Sequence, residues 1–85
     1  MQGAVTDEGG YPMPRTKLTL TDASGTVLAT TGTKKDGRYE FVVEQPCKGC
    51  SVKAERMGFV SQTQPSVNYN GSNSLWFSFA LKRSK

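Results

Sequence analysis

The amino-acid sequence predicts an all-β fold, a sandwich or a barrel, and three observations support this class. Short stretches with apolar residues at every second position recur along the chain, separated by Gly, Pro, Asn or Asp. Seven such stretches occur, at the spacing of about 8 to 12 residues that is typical of sandwiches and barrels. No stretch has apolar residues at the i, i+3, i+4 and i+7 positions of an amphipathic helix.

The first three predicted strands are short and half-buried. Gly3–Thr6 is followed by the turn residues 7–10 and by two prolines, which mark a loop or an edge because proline cannot donate to a ladder. Leucines alternate with polar residues in Thr16–Asp22. A Gly-containing turn then leads into Thr26–Thr33, which is rich in Thr and Val, as strands often are.

The later predicted strands carry most of the aromatic residues. The clearest alternation follows the turn residues Asp36 and Gly37. In the last strand, Phe77 and Phe79 share one face and Trp76 lies on the other. These strands are Arg38–Glu44, Cys50–Arg56, Ser66–Tyr69 and Leu75–Lys82.

The inward-facing positions of these strands define a predicted core. Its members are Val5, Leu18, Leu20, Val27, Tyr39, Phe41, Val43, Cys50, Val52, Ala54, Phe59, Val67, Phe77, Phe79 and Leu81. A chain of 85 residues is one small domain, predicted to span 1–85, with a thin stability margin.

The charge of the chain is modest and dispersed. Its net charge is +4, and the basic residues are neither concentrated on one face nor interleaved with aromatics. A nucleic-acid partner is therefore not expected. No stretch approaches the roughly 20 apolar residues needed to span a bilayer, and the residues after Met1 do not show the basic-then-apolar pattern of a leader. We expect a soluble domain that is not membrane-embedded and that has been cut from a longer secreted protein.

Both cysteines of the chain lie in the segment QPCKGC, residues 45–50. Two cysteines without a histidine cannot close a four-ligand zinc site. A redox-active dithiol places its first cysteine at a helix N-terminus, whereas Cys47 and Cys50 are predicted to lie in a turn between two strands. We favour a local disulfide, for which Gly49 supplies backbone latitude. Two reduced thiols remain the alternative.

Other catalytic chemistry has few candidates in this sequence. The absence of histidine removes the commonest general base. The paired carboxylates are expected to be solvated, and Asp22 and Asp36 are expected to form turns rather than to bind calcium. No catalytic residue, metal or cofactor is predicted.

Aromatic side chains give the best indication of a binding site. Trp76 is predicted to face away from the core, and Tyr69 and Tyr11 lie in or beside loops. Such rings can stack on a sugar while neighbouring amides meet its hydroxyls. The alternative is that Trp76 covers one end of the core or docks on a neighbouring domain. The amides are Asn68, Asn70 and Asn73.

The order of motifs resembles the carboxypeptidase regulatory-like domain, a transthyretin-like sandwich related to collagen-adhesin B-type repeats. The resemblance covers nearly the whole chain. It rests on Gly3-Ala4-Val5 with Asp7 and Gly10, on 33–41 as T-x-x-D-G-x-Y-x-F, and on Gly58-Phe59. In one departure, Cys47, Lys48 and Cys50 replace the Pro, Gly and Tyr common in the family's Pro-Gly-x-Tyr.

The resemblance implies a fold, a role and a location. The fold is a seven-stranded antiparallel Greek-key β-sandwich of the transthyretin (prealbumin) type. The role is that of a non-catalytic accessory module of a bacterial secreted, surface or outer-membrane protein, in structural spacing or recognition. Its partners would be neighbouring domains, carbohydrate or another surface protein. The location is extracytoplasmic, where a disulfide persists.

Two alternative functions follow from the residues. One is a carbohydrate-binding module that uses Trp76 and Tyr69. The other is a thiol-disulfide redox protein that acts through Cys47 and Cys50.

Overall fold

The computed structural model describes residues 1–43, 45–70 and 75–84. Its strands are β1 (Gln2–Asp7), β2 (Lys17–Thr21), β3 (Val27–Gly32), β4 (Arg38–Glu40), β5 (Cys47–Glu55), β6 (Gln62–Tyr69) and β7 (Trp76–Leu81). They form a three-stranded sheet in the order β4-β1-β7 and a four-stranded sheet in the order β3-β2-β5-β6. The all-β prediction with seven strands is therefore confirmed, and the two sheets are consistent with a sandwich. The described residues include no helix long and apolar enough to cross a membrane.

The prediction of a wholly antiparallel sandwich is wrong at one pairing. β1 runs parallel to β7 in a register from Gln2↔Trp76 to Asp7↔Leu81. The other ladders are antiparallel. Alternation of apolar residues reports which face of a strand is buried but not the direction of its neighbour. Strands far apart in sequence can pair in either direction because no hairpin joins them.

One boundary difference concerns the segment that holds the cysteines, and another is at β6, which begins at Gln62, four residues before the predicted start at Ser66. The structure does not place Cys47 in a turn: β5 already begins there, three residues before the predicted start at Cys50. The irregular register of β5 against β6 between Cys47 and Cys50 hides this extension from a search for simple alternation. β4 is shorter than predicted because its ladder with β1 ends at Gln2↔Glu40. Beyond this pair the Phe41 N–H donates to Met1 O (2.8 Å).

Most of the predicted core is buried. The buried cluster includes Val5, Leu18, Leu20, Tyr39, Phe41, Cys50, Val52, Ala54, Val67, Phe79 and Leu81, while Val43, Phe59 and Phe77 pack against it partly buried. Val27 was expected in this core but is 56% exposed. The β2–β3 register shifts after Leu20↔Ala29, so that Thr21 pairs with Val27. This bulge turns Val27 towards the solvent-facing side.

One core residue, Met13, was not predicted, because it sits between two prolines in a polar loop. Met13 is 4% exposed, and its N–H donates to Val5 O (3.0 Å). The hydroxyls of Thr16 and Thr33 both donate to Met13 O, at 3.1 and 2.6 Å. The loop therefore folds back over β1 and contributes to the core.

Candidate functional site

A disulfide joins Cys47 to Cys50 at the start of β5, with a Cα–Cα distance of 6.1 Å. Cys50 is fully buried in the core and Cys47 is half-buried. Gly49, between them, has a positive φ of 71°, which glycine adopts without steric cost. Its N–H donates to Asn68 Oδ1 (3.0 Å). The small ring is thus held by the core on one side and by β6 on the other.

Tyr69 lies directly opposite Cys47 in the β5–β6 ladder. Its hydroxyl donates to Val43 O (3.1 Å), which ties the end of β6 to the segment that follows β4. Residues at opposed positions of an antiparallel pair have neighbouring side chains. The structure therefore brings together Tyr69 and Cys47, which the sequence suggested for two separate roles.

An open groove lies beside this pair. Its volume is about 700 Å³, within the range of small-molecule sites. The ring of Tyr69 and the apolar surfaces of Pro46 and Cys47 can pack against a flat ligand. Side-chain amides and an ammonium group can hydrogen-bond to that ligand's polar atoms. The lining residues are Pro46, Cys47, Lys48, Asn68, Tyr69 and Asn70.

A second open groove, of about 560 Å³, lies along the same cystine segment. It shares Pro46, Cys47 and Lys48 with the first groove and adds residues that include Leu28 and Val42. The segment 46–48 therefore borders two surfaces. The disulfide-bonded Cys47 lies against both grooves.

The other two predicted aromatic residues lie elsewhere. Trp76 is 53% exposed on β7 of the three-stranded sheet, and its indole Nε1–H donates to Ser78 Oγ (2.9 Å). Tyr11 is 71% exposed in the loop after β1. Neither Trp76 nor Tyr11 is among the described residues that line the groove beside Tyr69. Asn73 falls outside the described residues.

Three lining residues, Pro46, Cys47 and Lys48, were not predicted as ligand contacts. A polar segment next to a cysteine pair carries no local signal of a groove. Only the opposition of Cys47 and Tyr69 across the ladder reveals it. The pairing depends on two register irregularities in β5 and β6, which sequence alternation does not report.

The geometry does not favour dithiol catalysis at the cystine. Both cysteines belong to a β-strand, whereas a redox-active dithiol places its first cysteine at a helix N-terminus. Cys50 is also fully buried. An attacking thiolate could approach only Cys47, since exchange requires access to a sulfur atom.

The aspartates considered for calcium close turns instead. Asp22 Oδ1 accepts hydrogen bonds from Ser24 N–H, Ser24 Oγ–H and Thr26 N–H. These hydrogen bonds hold the pKa of Asp22 below its ordinary value, and the bond from the Ser24 hydroxyl contributes most to this lowering. Asp36 Oδ1 accepts from Arg38 N–H (3.0 Å). Among the described residues, no group of three or more His, Cys, Asp or Glu could hold a metal ion.

Fold and grooves together define a small all-β domain with open surfaces on two sides of its cystine segment. The sequence profile of the carboxypeptidase regulatory-like domain matches residues 1–82. The chain therefore belongs to this family, and the resemblance noted in the sequence is confirmed. No curated protein matches the chain.

Solved structures add a likeness of fold. The 3-chlorocatechol 1,2-dioxygenase from Rhodococcus opacus 1CP is similar with a TM-score of 0.60 and 14% identity. The alignment covers 96% of this chain and 58% of the dioxygenase. At this identity the likeness concerns the fold alone, and the chain spans little more than half the length of that enzyme.

Proposed function

We propose that the chain is a non-catalytic accessory domain of a bacterial secreted, surface or outer-membrane protein, acting in recognition or spacing beside other domains. The observation that carries the proposal is the match to the carboxypeptidase regulatory-like family over residues 1–82. The groove beside Tyr69 supports a recognition role, because it joins an aromatic ring, apolar surface and side-chain amides in one open surface.

An extracytoplasmic location belongs to this proposal. The cystine supports it, since disulfides persist in oxidising compartments and are rare in reducing ones. The finer fold, a Greek-key sandwich of the transthyretin type, belongs to it as well. Support for this fold comes from the strand order: β2 pairs with β5 in one sheet, while the intervening β4 pairs with β1 in the other.

Carbohydrate binding is the second candidate function, and the groove favours it. The ring of Tyr69 offers a stacking surface beside the amides of Asn68 and Asn70. Trp76 does not share this groove. A sugar site would therefore use Tyr69 and the cystine segment rather than the predicted pair of Trp76 and Tyr69.

NMR titration of the chain with a panel of soluble oligosaccharides tests recognition at the groove. We expect amide shifts at Lys48, Asn68 and Tyr69 with at least one oligosaccharide. Tyr69→Ala should lose the response, because it removes the stacking ring. The matched control Tyr11→Ala, which removes an exposed ring outside the groove, should keep it.

Amide shifts confined to Trp76 and its neighbours would show that the sugar binds on the three-stranded sheet instead of at the groove. Absence of shifts with the whole panel would contradict carbohydrate binding. In that case the domain's role would rest on contacts with neighbouring domains.

A further inference from the structure

Three of the sheet edges carry features that prevent pairing with another strand. β6 is interrupted by Pro65 and by Ser66, whose φ is +58°. β4 has only three residues, two of them charged. The edge of β7 is covered where Lys82 O accepts from Val60 N–H (2.8 Å) and Ala80 O accepts from the side chain of Gln62. Short length, proline, charge and coverage are the usual protections of an edge.

β3 is the remaining edge, and its described residues lack the length limit, proline, charge and coverage that protect the other three edges. Its one irregularity is the bulge between Val27 and Ala29, which leaves residues 29–32 in regular register with β2. The strand Val27–Gly32, with the sequence VLATTG, contains neither proline nor charge. It lies at the end of the four-stranded sheet, with β2 as its neighbour. Six residues of an extended strand span about 20 Å. This length suffices for a ladder with another strand.

The ladder between β2 and β3 shows which backbone groups point outward. Thr33 N–H donates to Thr16 O (3.0 Å), and the register continues through Leu18↔Thr31. Backbone groups alternate in direction along an antiparallel strand. The N–H and C=O groups of Thr31 therefore face β2, while those of Thr30 and Gly32 face the open edge.

We propose that this edge pairs with β3 of a second copy of the chain, forming an antiparallel ladder with its twofold axis at Thr30. Two four-stranded sheets would then become one continuous sheet across the dimer. The interface is isologous, so every contact occurs twice. The inference concerns self-association and does not depend on the role of the Tyr69 groove.

Side chains along β3 are complementary to themselves in this register. A twofold axis at Thr30 places Leu28 opposite Gly32 of the second copy. Leu28 is 44% exposed, whereas Gly32 has no side chain and is itself exposed. Leu28 can therefore lie over the glycine and lose contact with water, which is favourable for an apolar side chain.

Charges at the two ends of β3 also favour antiparallel over parallel self-pairing. Lys34 and Lys35 follow the strand, and Asp22 closes the turn that precedes it. An antiparallel ladder brings the end of β3 that precedes Lys34 and Lys35 close to the turn of Asp22 in the second copy. Opposite charges then meet at both ends of the ladder. A parallel arrangement would place lysines beside lysines.

Sedimentation equilibrium of the 85-residue chain across a concentration series tests the proposal. We expect a reversible monomer–dimer equilibrium. Leu28→Lys, which replaces the apolar contact over Gly32 with a charge that the interface would have to desolvate, should raise the dimer dissociation constant by about tenfold or more. Thr30→Pro removes an outward N–H and should act in the same direction.

Val60→Lys is the matched control, because it adds the same charge at a comparably exposed apolar residue (51%) beside β7. It should leave the dimer intact. Hydrogen exchange of wild type gives a readout that needs no substitution. The amides of Thr30 and Gly32 should exchange several-fold more slowly at high concentration, while Thr31 should be protected at every concentration.

A chain that stays monomeric over the whole series overturns the proposal. It is equally overturned by a dimer that survives Leu28→Lys, or by concentration-dependent protection on β6 or β7 instead of β3.

Discussion

Tyr39 shows how one hydroxyl fixes the three-stranded sheet. The residue is 3% exposed on β4, and its O–H donates to Phe77 O on β7 (2.7 Å). The bond crosses β1, which lies between these strands. Gly3 makes the crossing possible: a Cβ at Gly3 would lie 2.6 Å from the Tyr39 oxygen and closer still to Phe77 O. A side chain at residue 3 is therefore incompatible with this bond.

Substitution of Tyr39 by Phe should remove the bond and keep the ring. We expect a loss of about 1 kcal/mol in the free energy of unfolding. Burial raises the pKa of Tyr39 above its ordinary 10.0, so the folded state holds the phenolic proton more tightly than the unfolded state. Its stabilising contribution is fully present below pH 10.0 and is lost as pH rises towards the folded-state pKa.

Urea unfolding of both proteins at pH values on each side of 10.0 measures this difference. The deficit of Tyr39→Phe relative to wild type should narrow at the higher pH. Tyr11→Phe, at an exposed tyrosine, should change stability little at either pH. A deficit that stays constant with pH would show that Tyr39 does not titrate differently in the folded and unfolded states.

Burial of individual residues could be predicted well wherever a strand is regular. The alternation in β2, β4 and β7 identified Leu18, Tyr39 and Phe79 as core residues, and all three are buried. The prediction that Val27 is buried was wrong, because a bulge after Leu20↔Ala29 interrupts the alternation of inward and outward side chains in β3. No alternating pattern in the sequence could indicate that Met13 is buried, since its burial comes from a loop that folds back on β1.

At the scale of elements, the first residues of β5 form its weakest part. The second half of β5, residues 51–55, pairs with β2 on one side. Residues 52–54 of this half also pair with β6 on the other side. Cys47 to Cys50 pair with β6 alone, through an irregular register. A disulfide at this point tethers the half-paired segment to the buried Cys50 and compensates for the missing neighbour.

Reduction of the disulfide should loosen this segment before the rest of the sheet. The loop-entropy estimate for a ring of about four residues predicts a loss of about 2 kcal/mol in unfolding free energy. Hydrogen exchange should quicken at residues 47–49, while residues 51–55 stay protected. Urea unfolding and exchange, each with and without a reductant, measure these two effects.

The double variant Cys47→Ala, Cys50→Ala is the control, and its stability should not respond to the reductant. Ellman titration should find no free thiol in the non-reduced wild type, native or denatured. If released thiols are detected and stability is unchanged, the disulfide is not a stabilising link.

The candidate site could be predicted only in part, because it depends on how elements meet. Tyr69 and Cys47 were each identified from the sequence for their own chemistry. That these two side chains are neighbours depends on the pairing of β5 with β6, whose register includes two irregularities. Such a register is fixed by tertiary packing as well as by the local sequence pattern. Trp76 was correctly predicted to face outward, but only the sheet order separates it from the groove.

For the whole molecule, the decisive pairing joins the two ends of the described chain. β1 and β7 are parallel neighbours from Gln2↔Trp76 to Asp7↔Leu81, and β1 is also the partner of β4. The three-stranded sheet therefore has no local hairpin between neighbouring strands. It can form only when residues far apart in sequence meet, which is characteristic of slow-folding β topologies.

Deletion of residues 76–85 should consequently unfold the whole domain rather than leave a four-stranded sheet behind. The deletion takes Phe79 and Leu81 out of the core, where they are 5% and 0% exposed, and leaves β1 with one neighbour. A domain this small has little stability to lose.

Deletion of residues 84 and 85 is the matched control. Of the described contacts it removes the hydrogen bond from Ser84 N–H to Gly58 O, and it should preserve the fold. Far-UV circular dichroism and the dispersion of amide proton shifts measure both deletions. Native-like dispersion after removal of β7 would show that the four-stranded sheet folds without its partner.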